Sequence, residues 1–332
     1  MEIKISAMQG HEQILPFKEL HVPGKPSLPY TQGQQEHVKA FNFHIENGVV
    51  GFESVPCLCG SCHFTLLASY DRYAMRQSTV ICVQCGLIQS NPRMTQKAYA
   101  DFYSSDTYRR CYDSGNYLND SEKQYSAQAG QSIFKAIDKI KKISSGISVL
   151  EIGAGGGWNL LPFLKAGAES LGYDYSPTLV DLGRRHGIPM RQGSSDDIQG
   201  QFDVIILNHV WEHLLDPVAS LKKIVKHLKN EGIIYMAVPN VTNGILWQFQ
   251  NAHTYYFDPQ TFHYYASMAG LRLIAFGPAE KIHMFGIFKP GHDPKVPGLK
   301  GHYRHVLWIL RFIRIKRTVK LFLKSLLKQD LR

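Results

Sequence analysis

The chain has 332 residues, enough for about two domains with cores of their own, and 44% of them are hydrophobic, as in ordinary globular proteins. No apolar run of about eighteen residues occurs, and residues 1–20 are mixed and charged, so neither a membrane span nor a secretory leader is expected. Net charge is +10, but residues 301–332 hold nine Lys/Arg against one acid, leaving 28 basic and 26 acidic groups in the rest. Basicity belongs to the tail, and no nucleic-acid partner is expected for the body.

Residues 1–48 carry scattered Pro, Gly and Gln without clear periodicity and read as an irregular extension. A small domain over 49–115 follows, and five of the six cysteines lie between positions 57 and 85: Cys57, Cys59, Cys62, Cys82 and Cys85. The spacing Cys59-x2-Cys62-x19-Cys82-x2-Cys85 fits a tetrahedral zinc site built from two knuckles. Two arrangements of the first knuckle stand open. Either Cys57 pairs with Cys59 across a shortened turn, or Cys62 takes the place of Cys57. Four thiolates leave zinc no open position, so the expected role is structural. A reducing cytoplasm favours metal over disulfide.

Residues 147–152 form a short apolar run, a buried strand ending in Gly153, Gly155, Gly156 and Gly157, with a helix-like segment over 158–166. Glycines at such a turn let the backbone approach a ligand at the strand's carboxyl end. A dinucleotide fingerprint would need its third glycine at position 158, where Trp158 stands. A second strand ends at Asp174, whose carboxylate suits a ribose diol. Ser176-Pro177 then opens a helix through Arg185. Asp196 and Asp197 precede a buried strand over 202–207, followed by Asn208-His-Val-Trp-Glu-His213. Asp216-Pro217 starts a helix to about Lys229, and 232–240 is another strand. His253, Tyr255 and Tyr256 lie in the loop beyond it. A helix over 259–269 and strands over 271–276 and 281–288 follow.

Glu151-x-Gly153-x-Gly155-x-Gly157 resembles the first motif of class I S-adenosylmethionine-dependent methyltransferases, and the order of the later segments agrees over about 120–290. The passage from Glu212-His213 through Asp216-Pro217 to Pro239-Asn240 is similar to the subgroup that includes ubiquinone and sugar methyltransferases. The cysteine block, with Asp71-Arg-Tyr73 and Asn91-Pro92-Arg93, resembles the zinc-binding domain preceding some bacterial sugar-type methyltransferases.

The resemblance implies an α/β fold with a Rossmann-like seven-stranded sheet after a small zinc-binding domain. It also implies S-adenosylmethionine held by Glu151, Gly153, Ala154, Gly155, Gly157, Asp174, Tyr175, Asp196 or Asp197, and Asn208. His253 or His213 would take a proton from the acceptor, with Tyr255 orienting it. The expected acceptor is a small molecule, a sugar, or a glycan- or lipid-linked group, methylated on oxygen or carbon. The alternative is a non-catalytic cofactor-binding protein acting through its zinc module or tail.

The tail over 301–332 is helically patterned. Trp308, Phe312, Ile315, Val319, Phe322 and Leu326 recur at spacings of four and three, with Arg311, Arg314, Arg317, Lys320, Lys324 and Lys328 off that stripe. Over 304–328 the pattern suits an anionic membrane surface, a cytoplasmic protein peripheral on the inner face. It equally suits a helix docked on its own domain or on a second chain.

Overall fold

The computed structural model describes residues 2–6, 18–105, 107–112, 120–243, 248–279 and 282–329, without the side chains of 18, 120–127, 317, 318 and 320–329. The chain divides into two compact units. One comprises Met1–Thr95, Gly244–Tyr256 and Gly298–Arg332; the other comprises Gln96–Asn243 and Phe257–Pro297.

The second unit is built on seven strands: β1 (Ser148–Ile152), β2 (Glu169–Asp174), β3 (Met190–Gln192), β4 (Phe202–Asn208), β5 (Leu228–Pro239), β6 (Leu271–Ala279) and β7 (His283–Pro290). Their order is β6-β7-β5-β4-β1-β2-β3. Strands β1 to β5 run parallel, and β7 is antiparallel to both neighbours. Strand β1 is buried throughout and β5 over its last eight residues, as the apolar runs of a sheet covered on both faces require. Ile133 and Ile137, from the helix Asp120–Asp138, pack with Val149, Val204, Ile233 and Tyr235 in one core cluster. After β1 the chain adds β2 and β3 on one side, then crosses back to place β4 on the other. That reversal puts a switch point at the carboxyl ends of β1 and β4, where open sheets hold ligands. The architecture is the Rossmann-like seven-stranded sheet that the resemblance implied.

Local chemistry sets most element boundaries. Ser176 Oγ accepts from Leu179 N–H at 3.4 Å, and Pro177 opens the helix Pro177–Arg185. Asp216 caps Pro217–Val225 in the same way. That helix stops four residues short of the expected Lys229, because Leu228 already pairs with Phe202 and starts β5.

The first unit holds a five-stranded sheet in the order Lys4–Ser6, His63–Tyr70, Arg76–Cys82, Ile88–Ser90, Tyr255–Tyr256. The irregular extension expected over 1–48 contains a regular element. Gln32–Glu46 is a helix of 15 residues, closed by a capping box between Thr31 and Gln34, with Val38 and Phe41 buried. The division also departs from the expected boundaries. Residues after Thr95 belong with the second unit, and Gly244–Tyr256 returns to the first.

Candidate functional site

At the end of β1 the chain turns through Gly153, Ala154 and Gly155. Gly155 sits at φ +56°, a left-handed conformation that L side chains resist, and among the described residues beyond its chain neighbours no atom lies within 4 Å of where its Cβ would project. Its N–H donates to Asp174 Oδ2 at 2.7 Å, while Ser176 N–H donates to Asp174 Oδ1 at 2.9 Å. Burial pushes the Asp174 carboxyl up, opposed by these two N–H groups and by the Arg109 guanidinium. The tips of β1 and β2 are thereby tied together beneath an open backbone cradle.

Glu151 is fully buried in β1. Its Oε1 accepts from Asn159 Nδ2 at 2.7 Å, but its Oε2 and Asn159 Oδ1 are buried with no hydrogen-bond partner among the described residues. Burial pushes the Glu151 carboxyl up to about 8, and the nearby Asp174 adds to it while Asn159 opposes. Two orphaned acceptors beside the glycine turn fit a ligand bringing N–H donors, above all an ammonium group. An ammonium is what the amino-acid end of S-adenosylmethionine would present.

The other expected cofactor residues are placed less centrally. Tyr175 is exposed. Asp196 forms an exposed ion pair with Lys223 at 2.9 Å, and Asp197 Oδ2 accepts from Ser194 N–H and Oγ in a capping box. Asn208 ends β4 and lines a cavity of about 160 Å³ together with Ala129, Ile133, His209, His283 and Phe285.

Beside that cavity lies a constellation the sequence reading missed. His209 follows β4 at φ +56°, unusual for a residue with a side chain. Its Nδ1 is 3.2 Å from Oε1 of the buried Glu212, and its ring lies edge-on to that of His283, centroids 4.2 Å apart. Burial pushes Glu212 up, but the His209 hydrogen bond and the neighbouring His213 and His209 outweigh it and hold the carboxyl below its ordinary value. Burial, then His209, lowers His283 to about 4, so it is neutral near pH 7. His213 shares a 2.9 Å hydrogen bond through Nδ1 with Tyr103, and the rings of Tyr103 and Tyr108 meet it edge-on. Spacings of four between Tyr99 and Tyr103, and between Tyr108 and Tyr112, were the available signal.

His253 and Tyr255 sit in the first unit. His253 is buried, its ring nitrogen against the Gln250 amide and its carbonyl accepting from Ser90 Oγ at 2.6 Å. Tyr255 accepts from Arg93 Nη1 at 3.3 Å and pairs with Gln89. Its neighbour Tyr256 accepts from Gln77 at 2.8 Å, and burial pushes its hydroxyl up to about 12.

In the same unit the sulfurs of Cys57, Cys59, Cys82 and Cys85 all lie within 4.8 Å of one another, two pairs at 3.5 and 3.6 Å. Four thiolates about 2.3 Å from one zinc ion stand about 3.8 Å apart, so this donor set fits that ion. Backbone N–H groups shape both knuckles: Gly60 N–H donates to Cys57 O at 2.7 Å and Gly86 N–H to Cys82 O at 2.9 Å. Of the two arrangements left open by spacing, the geometry selects the Cys57–Cys59 turn, and Cys62 stands outside the cluster.

A methyltransferase-domain family matches residues 125–275. The ubiquinone biosynthesis O-methyltransferase of Actinobacillus pleuropneumoniae serotype 7 is 30% identical over 123 residues, which are 32% of this chain and 53% of that protein. Its namesake from Chelativorans sp. is 31% identical over 106 residues, 29% of this chain and 42% of that one. The chain thus spans about half the length of the curated relatives it matches. Among solved structures, the magnesium protoporphyrin IX methyltransferase of Synechocystis PCC 6803 is 13% identical with a TM-score of 0.47, covering 58% of this chain and 99% of its own. Sheet order, glycine turn and family match agree, and the chain carries a class I S-adenosylmethionine-dependent methyltransferase domain.

Proposed function

We propose that this protein methylates an oxygen of a small-molecule acceptor and that a zinc ion on Cys57, Cys59, Cys82 and Cys85 holds its first unit together. One observation carries the cofactor reading: Glu151 Oε2 and Asn159 Oδ1 are buried acceptors without donors among the described residues, beside the turn after β1. Glu151 and Asn159 would receive the cofactor's ammonium, Gly155 would leave room for it, and Asp174 would accept from its ribose hydroxyls. S-adenosylmethionine supplies a sulfonium methyl that is already activated for displacement.

The chain's own task is to place the acceptor and take its proton. The cavity bounded by Asn208, His209 and His283 is the place for the acceptor, with Ala129, Ile133 and Phe285 giving it apolar walls. His209 takes the proton, and the buried Glu212 orients its ring and stabilises the imidazolium that forms. His283, neutral near pH 7, adds no positive charge to repel a sulfonium. The similarity to O-methyltransferases of ubiquinone biosynthesis favours a phenolic hydroxyl over a sugar carbon.

Turnover to S-adenosylhomocysteine with phenols, catechols and sugar nucleotides tests this reading. A phenolic acceptor should be used, and His209→Ala should lower kcat by about 100-fold or more while leaving cofactor affinity unchanged. Cofactor binding without turnover on any acceptor class would refute catalysis.

Cofactor binding should also depend on pH through Glu151. Its folded value of about 8 exceeds the ordinary 4.5, so the ligand-free fold binds that proton more tightly than the unfolded chain. Ligand-free stability should therefore fall as pH rises between those values. An ammonium ligand favours the carboxylate, so the proton must leave on binding. Affinity for S-adenosylhomocysteine should rise by up to about tenfold per pH unit between roughly 6 and 7.5. Calorimetry in buffers of different ionisation enthalpy should register proton release, and Glu151→Gln should flatten the profile. A flat wild-type profile would count against this role.

A further inference from the structure

The helix His302–Gln329 has two apolar sides, and only one of them is used within its own unit. Val306 and Leu310 are buried, and Tyr303 hydroxyl meets Thr65 Oγ1 at 3.1 Å. The first turn rests on the knuckle that ends in Cys85: a Cβ on Gly86 would lie 2.9 Å from Tyr303 N. The helix start is thus fixed on the cysteine-bearing sheet.

The other side is uncovered. Trp308, Phe312, Ile315 and Val319 are 63%, 43%, 59% and 51% exposed. At 3.6 residues per turn they fall within about 60° of one another, while Val306 and Leu310 point roughly 150–170° away. The Trp308 and Phe312 rings are stacked, centroids 5.7 Å apart and 5° from parallel, forming one flat outward surface. Arg304 and Arg311 lie about 50–70° to one side of that stripe, and Lys316 about 70° to the other. Lys316 Nζ stands 4.7 Å over the Phe312 ring, its stem along the apolar surface and its ammonium at the edge. No described helix is long and apolar enough to cross a membrane.

We propose that this face docks on an anionic lipid surface, with Trp308, Phe312, Ile315 and Val319 entering the acyl boundary and the flanking Arg and Lys on phosphate headgroups. The arrangement is an apolar stripe with cations on both edges, lying in the interface plane. Charge decides between occupants. A second copy would cover the stripe only by bringing together two segments that each carry nine Lys/Arg against one acid. Nucleic acid would satisfy the cations but leave Ile315 and Val319 in water. Anionic lipid satisfies both stripe and flanks, each cation near such a surface adding about 1 kcal/mol. This inference is independent of the methyl-transfer reading.

The test uses the full chain and sedimentation with vesicles of phosphatidylcholine alone or mixed with phosphatidylglycerol. The protein should pellet with the phosphatidylglycerol vesicles, release at high salt, and ignore phosphatidylcholine. Trp308→Ser with Phe312→Ser should weaken the partition at least about tenfold while circular dichroism and S-adenosylhomocysteine affinity stay unchanged. Binding to neither vesicle, equal binding to both, or undiminished binding of the double variant would overturn the proposal. So would a dimer in sedimentation velocity that the double variant dissolves, or a preference for DNA over the anionic vesicles.

Discussion

Binding of S-adenosylhomocysteine is expected to vanish from G155R protein that still folds. Gly155 combines a left-handed φ of +56° with empty space around its projected Cβ. A Cβ there costs the left-handed penalty of about 1–2 kcal/mol but meets no described atom within 4 Å beyond its chain neighbours. The melting temperature should therefore drop by only a few degrees. The arginine would fill the cradle beside Glu151, Asn159 and Asp174, and bring a cation where those acceptors await the ligand's own. Affinity should fall at least about 100-fold, roughly 2.7 kcal/mol or more. Isothermal calorimetry with circular dichroism on the same samples separates the two effects. If G155R protein binds as tightly as wild type, the turn is not the cofactor's cradle.

The parts of this site that were legible in the sequence are those made by neighbours in the chain. Glu151, Gly155 and Asp174 lie on one strand, its turn and the next strand tip, and apolar runs with a glycine stop mark such places. Ser176-Pro177 and Asp216-Pro217 announced two helix starts because a cap and its proline are adjacent. What depended on long-range pairing was not legible. His283 reaches His209 because β7 inserts antiparallel beside β5, and nothing near His209 in sequence signals that. Leu228 reads as the end of a helix until Phe202 pairs with it. The helix Gln32–Glu46 was missed for a local reason: its apolar residues are few. The Thr31-x-x-Gln34 capping box was the overlooked mark. The choice between Cys57 and Cys62 could not be made from spacing, since one intervening residue or two can each turn a knuckle.

That choice yields the other large effect expected of this protein. Cys82→Ser should remove the zinc and expose the first unit to proteolysis, whereas Cys62→Ser should leave the metal in place. Cys62 is buried but outside the four-sulfur cluster, and a serine there adds one hydroxyl to a packed site. Its cost should be about 1–3 kcal/mol, a shift in melting temperature without loss of metal. Cys82 lies at the end of the central strand Arg76–Cys82, fully buried, its sulfur 3.6 Å from that of Cys59. Removing it leaves three thiolates facing one another without a fourth ligand. Structural zinc contributes about 10–16 kcal/mol in small zinc-folded peptides, more than the whole stability of an ordinary domain. The same knuckle carries the Gly86 turn on which the tail helix begins, so metal loss should also free that helix. Metal analysis should find one zinc per chain in wild-type and C62S protein and none in C82S. Limited proteolysis should then cut C82S first within 1–95 or 298–332. Equal zinc in C82S and wild type would show that the four sulfurs do not share a metal.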